Sequence, residues 1–233
     1  FTEDQTQFRE IVARFLQDKS QSFEVRKQMA SDIGYDVDVW RQLCDEVGLA
    51  GTHIPEEFGG FGFGPIELGI AAEEMGKHLY CGPFFSSSIM AGCALLNCAS
   101  DSHKTEILPA IALGTKLATL VLDSLNTPSH IGKALKVNKG LLTGTAGLVL
   151  DAHIADVMIV IAESDTGLGL FSVPTQTSGI IINPLETLDA TRKMSQVIFE
   201  DVVVTRIGDV SKSSLDKTWD YISVALAHEM IGG

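Results

Sequence analysis

The 233-residue sequence predicts an α+β multidomain fold: an N-terminal α-helical domain over 1–115, a middle antiparallel β-barrel or sandwich domain over 116–210, and the start of a C-terminal helical domain over 211–233. Three observations predict it. Apolar residues recur at helical spacing as far as Gly114. Short β-rich runs, punctuated by Gly, Asn, Pro and Ser, then follow with no helix between them. Helical spacing returns near Ser213. Helices followed by strands differ from the strict alternation of a doubly wound dinucleotide-binding sheet.

Taken in order, Thr2 and Gln5 form a capping box ahead of a helix that places Phe8, Ile11, Val12, Phe15 and Leu16 on one face. A second helix follows Asp36, carries Val39, Trp40, Leu43 and Val47, and stops at Gly48. The third starts at Pro65, suited to a first helical turn, and aligns Leu68, Ala72, Met75 and Leu79. Residues 86–99 are small or apolar all round, which predicts a helix buried on most sides, and 101–113 form another that ends at Gly114. Strands are expected near 117–122, 134–137, 141–150, 157–162, 168–173, 180–182 and 196–204. Ser213 and Asp216 then cap a helix bearing Leu215, Trp219, Ile222, Leu226 and Met230.

A formal net charge of −13 repels a phosphate backbone, and the basic pairs Arg26-Lys27 and Arg192-Lys193 are too short to make a nucleic-acid patch. The four cysteines show no Cys-x-x-Cys spacing and no His pair supports a metal site, so a reducing compartment is the natural reading. No apolar run approaches the ~18–20 residues of a membrane span, and no leader-like segment opens the chain. Walker, nucleophile-elbow and zinc-protease sequences are absent, so catalysis has to come from elsewhere.

Individual candidates have plain alternatives. Glu56 and Glu57 are loop neighbours that diverge towards solvent, and Glu73 and Glu74 on the third helix likewise read as structural. His153, between Asp151 and Asp156, falls in an expected turn between strands. Arg192 could bind a carboxylate or phosphate of a ligand or neighbouring chain, with a local pairing to Asp189 the simpler role.

The stretch from His53 to Gly64, His-Ile-Pro-Glu-Glu-Phe-Gly-Gly-Phe-Gly-Phe-Gly, is a tight glycine loop. It resembles the Val-Pro-Glu-Glu-Tyr-Gly-Gly-Leu-Gly signature of the acyl-CoA dehydrogenases. Similar landmarks run along the chain: Phe1-Thr-Glu-Asp-Gln, Ile107-Leu-Pro, Gly169-Leu-Phe-Ser-Val-Pro, Leu188-Asp-Ala-Thr-Arg and Val197-Ile-Phe-Glu-Asp-Val. The resemblance implies an acyl-CoA dehydrogenase-like fold with a truncated C-terminal helical domain, and α,β-dehydrogenation of an acyl-CoA thioester by FAD. It further implies electron-transfer flavoprotein as acceptor, a homo- or hetero-oligomer, and a cytoplasmic location, or the mitochondrial matrix in a eukaryote.

The same resemblance places cofactor contacts at Leu122, Asp123, Ser124, Leu148 and Leu150, and a substrate contact at Ser129. Asp123 keeps an acid, while Leu122 and Leu150 stand where family members carry hydroxyls, and Leu148 stands where they carry Trp. A hydrogen-bonding ligand edge left facing an aliphatic side chain costs about 1–3 kcal/mol per lost partner. The family's catalytic Glu belongs to the C-terminal helical domain, so no catalytic residue is assigned. Two expectations follow: a flavin-poor partner in a hetero-oligomer, or a non-catalytic acyl-CoA-binding or structural subunit that retains the fold.

Overall fold

The computed structural model describes residues 1–122 and 134–233. Helix α1 (Glu3–Lys19) opens on the expected capping box: Gln5 N donates to Thr2 Oγ1 at 3.2 Å while Gln5 Oε1 accepts from Thr2 N at 3.0 Å. Helix α2 (Ser22–Ala30) was not anticipated, because only Val25 and Gln28 of its nine residues are buried and no apolar stripe announces it. Helix α3 (Val37–Val47) is capped by the Asp36 carboxylate and ends at Gly48, whose φ of 70° is the left-handed stop that favours glycine.

Helix α4 (Pro65–Lys77) ends earlier than the sequence suggests. Leu79 lies beyond it with φ 46° and a largely exposed side chain, so it is not part of the buried stripe. The apolar segment is helical, but its first part, Phe84–Ala91, is wound as a π-helix before α5 (Gly92–Cys98). Every residue from Phe84 to Leu95 is buried, as its composition requires. Helix α6 (Asp101–Ala112) completes the first layer.

The strands are β1 (Ala118–Val121), β2 (Leu135–Asn138), β3 (Leu141–Leu150), β4 (Val157–Ser164), β5 (Gly167–Pro174), β6 (Ile180–Leu185), β7 (Met194–Val203) and β8 (Thr205–Asp209). They run in the order β6-β7-β3-β2-β4-β5-β8, with β1 added beside β4. The sheet is mixed rather than wholly antiparallel. One edge of β4 takes β1 in parallel along 157–160 and β2 in parallel at Glu163 and Ser164. Both parallel partners precede β4 by a connection long enough for a crossover, which local periodicity does not reveal.

Strand β4 shows why the two layers hold together. Its residues 157–162 are all buried, with Val157, Ile159 and Ile161 in a core shared with the helices and Met158, Val160 and Ala162 in a second core within the sheet. A strand covered on both faces reads as a continuous apolar run. Helix α7 (Lys212–Gly232) is capped by Ser211 rather than Ser213, and packs on α4 and α5. Its contact with α4 is close enough that a Cβ on Gly76 would collide with the Glu229 carbonyl oxygen, and one on Gly232 with that of Glu73.

Candidate functional site at the junction of helices and sheet

Of the positions that the resemblance marks, two lie in or against the core shared by sheet and helices. Leu122 follows β1 and is 2% exposed, packed in the core between sheet and helices. Leu150 closes β3, half-buried against the same core, and its carbonyl accepts from Thr119 Oγ1 at 2.6 Å. Leu148 is 48% exposed, within the irregular register between Ala146 and Val149. Asp123, Ser124 and Ser129 lie outside the described residues.

Directly after β3 the chain turns at Asp151, φ 54°, and its carboxylate accepts a 2.6 Å hydrogen bond from Ser86 Oγ on the π-helix. Burial pushes the Asp151 carboxyl up, against the Ser86 bond and the nearby Arg192 charge that pull it down. Arg192, in the β6–β7 connection, pairs with Glu229 on α7 and lies over the Phe85 ring, 4.8 Å from its centroid. Burial lowers the Arg192 guanidinium's own pKa, while the neighbouring acids oppose the shift.

The expected local pairing of Arg192 with Asp189 is therefore corrected. Asp189 instead accepts from Thr191 N and Oγ1, at 2.9 and 2.6 Å, closing its own turn and leaving the guanidinium free to reach α7. Lys193 reinforces the same connection by donating to the Met29 carbonyl at 2.7 Å. Sequence reasoning missed Asp151, Ser86, Phe85 and Glu229 as members of this cluster. Only the left-handed turn at a strand exit could have drawn attention to Asp151; the pairing of residues 192 and 229 has no local signal.

The other candidates are structural. Glu56 and Glu57 occupy an exposed turn. Arg9 bridges Glu73 at 2.7 Å and Glu74 at 2.9 Å, Lys77 adds a contact to Glu74 at 3.4 Å, and His228 approaches Glu73 at 3.6 Å. The Arg9 hydrogen bond holds the Glu73 carboxyl below its ordinary range. His153 does sit in the turn after β3 and ties it to the helices through a 3.0 Å contact between Nε2 and the Ile33 carbonyl.

Two physical limits follow for ligand chemistry. Leu122, Leu148 and Leu150 have no hydrogen-bonding side-chain atom, so a ligand edge beside any of them would meet only backbone donors and acceptors there. The void lined by Met75, Phe84, Phe85, Arg192 and Glu229 has a volume of about 10 Å³, room for about one water molecule rather than an acyl chain.

Comparison with known proteins places this geometry. Residues 2–115 match the model of the acyl-CoA dehydrogenase N-terminal domain. The chain is similar to acyl-CoA dehydrogenase IpdE2 of Mycolicibacterium smegmatis, 30% identical over 231 residues, covering 99% of this chain and 61% of the relative. Among solved structures it resembles the ChsE4-ChsE5 complex from Mycobacterium tuberculosis, with a TM-score of 0.85 at 21% identity over 100% of this chain and 64% of that one. Butyryl-CoA dehydrogenase from Megasphaera elsdenii gives a TM-score of 0.84 at 19% identity over 100% of this chain and 66% of that one. The chain thus spans about three fifths of the length of these proteins.

Proposed function

The chain belongs to the acyl-CoA dehydrogenase family, and from that premise we propose that it is the flavin-poor subunit of a hetero-oligomer that carries out FAD-dependent α,β-dehydrogenation of an acyl-CoA thioester. The partner supplies most of the cofactor site, and electrons pass to an electron-transfer flavoprotein. The observation that carries this reading is Leu122, an alkyl side chain 2% exposed, at the position where the resemblance implies a hydroxyl.

Helix α7 exposes Val224, Leu226, Met230 and Ile231, an apolar face that association with further helices would cover. A chain of the ChsE4-ChsE5 complex has this fold, a precedent for its occurring within a complex. FAD, when bound, would supply the two-electron acceptor. This chain's share is to shape one wall: Leu148 presents an apolar surface, while the cluster of Asp151, Ser86, Arg192 and Glu229 holds sheet and helices in register.

The test is to purify the chain alone after incubation with excess FAD, and to repeat this with its co-expressed partner. The expected result is a colourless chain alone and a yellow complex. A yellow protein with one FAD per chain in the absence of any partner would sink the proposal. The lack of side-chain hydrogen-bonding groups at Leu122, Leu148 and Leu150 also favours a second reading, a non-catalytic acyl-CoA-binding or structural subunit of such an assembly. It is supported if the partner alone matches the complex in both flavin content and turnover.

A further inference from the structure

The segment Phe84–Ala91 is a π-helix eight residues long, whereas π geometry mostly occurs as a single turn inside an α-helix. Its sequence, Phe-Phe-Ser-Ser-Ser-Ile-Met-Ala, contains no Gly or Pro, so nothing local forbids the ordinary α winding. The chain enters through an α-type bond, Ser87 N to the Pro83 carbonyl at 2.9 Å. It leaves through Gly92 N, shared between the Ile89 carbonyl and the Ser87 carbonyl five residues back, and α5 continues in α geometry. The wider winding is therefore confined to this segment and held from outside it.

The three serines show what holds it. Ser86 Oγ donates to the Asp151 carboxylate at 2.6 Å, and Ser87 Oγ accepts from Ala118 N of β1 at 3.0 Å. Neighbouring side chains on an α-helix diverge by about 100°, and more residues per turn bring them closer in angle, so adjacent serines can both reach the sheet. Ser88 is left out: it is 0% exposed and its Oγ has no hydrogen bond among the described residues. In an α-helix a serine hydroxyl can bond to the carbonyl four residues back, here that of Phe84. The π winding satisfies two serines and leaves the third unpaired, and an α winding reverses this. Phe85 rides on the same segment, its ring centroid 4.8 Å from the Arg192 guanidinium that pairs with Glu229 on α7.

We propose that Phe84–Ala91 is a two-state element, clamped in the π winding by the Ser86–Asp151 and Ser87–Ala118 bonds, and that release of the clamp rewinds it to an α-helix. Rewinding turns Phe85 away from Arg192, and so transmits the state of the β3 exit to α7. Ser88 gains the Phe84 carbonyl as its acceptor in the second state.

The test is a reversal of sign in the full chain. In the parent, Ser88→Ala removes an unpaired buried hydroxyl and should raise the urea midpoint. With the clamp broken by Ser86→Ala, the same change removes a bond that is made and should lower the midpoint. Ser87→Ala, which cuts the other anchor, is an independent background in which the same reversal is expected. A crystal structure of Ser86→Ala should show bonds four residues back across the segment, with Phe85 turned from Arg192. If neither background folds, hydrogen exchange of the parent decides: exchanging partners breaks the bonds of the Ile89 to Gly92 amides, which should therefore open locally with little urea dependence. A Ser86→Ala structure that keeps the π winding, the same sign for Ser88→Ala in every background, or exchange of these amides only through global unfolding would each overturn the proposal.

Discussion

The Arg192–Glu229 pair joins a β-hairpin to α7 across the junction, and breaking it should be costly in a calculable way. The two side chains are 25% and 16% exposed. Removing one partner of a fully buried pair costs about 3–5 kcal/mol, and partial exposure brings this to about 2–3 kcal/mol. Loss of the guanidinium from the Phe85 face, 4.8 Å away, adds roughly 0.5–1 kcal/mol. Arg192→Ala is therefore expected to destabilise by about 3 kcal/mol, and Glu229→Gln by about half as much, because a neutral amide still hydrogen-bonds. Arg192→Met with Glu229→Met should fall within about 1 kcal/mol of the parent, since it removes both charges from the junction and restores apolar volume. Urea unfolding followed by circular dichroism reads all three. An Arg192→Ala loss under about 0.5 kcal/mol, or a double variant as unstable as the sum of the singles, would refute the assignment of this pair as a buried tie.

Three further outcomes are expected. His53 has its pKa depressed from 6.5 to about 4 by burial, so the stability it contributes is complete above 6.5 and is lost as pH falls through the folded value; the loss by pH 4 is on the order of 3 kcal/mol, and urea midpoints of His53→Gln across that range should be flatter than the parent's. Gly76→Ala should destabilise by about 1–3 kcal/mol or prevent folding, because its Cβ meets the Glu229 carbonyl; an unchanged melting temperature would show that α4 and α7 pack less closely. Phe199→Ala, in the core within the sheet, should cost about 3–5 kcal/mol in the same urea assay.

What the sequence disclosed divides along physical lines. Features set within a few residues were legible: the Thr2–Gln5 box, the Asp36 cap, the Gly48 stop and the apolar strand at 157–162. Elements held by tertiary context were not. Helix α2 has too few apolar residues to show a period, and β8, Thr205-Arg-Ile-Gly-Asp, is short and polar with one fully buried side chain, Ile207. The parallel pairing of β1 and β2 with β4 depends on crossovers that no local pattern records.

The site divides in the same way. That Leu122, Leu148 and Leu150 replace hydrogen-bonding or stacking handles is what the resemblance implies, and the chemistry those side chains lack follows from their identity. Their burial was not legible: one is enclosed, one half-enclosed and one open, according to strand face and to the irregular register of β3. Arg192 was legible as a charge in need of a partner. Its true partner lies 37 residues away on α7, beyond the reach of any motif.

The most direct test of the central claim is native mass spectrometry, with a visible spectrum, of the assembly isolated from its natural source. The account predicts two different acyl-CoA dehydrogenase-like chains in one particle, with fewer flavins than subunits. A particle built only from copies of this chain, carrying one FAD per subunit, would contradict it.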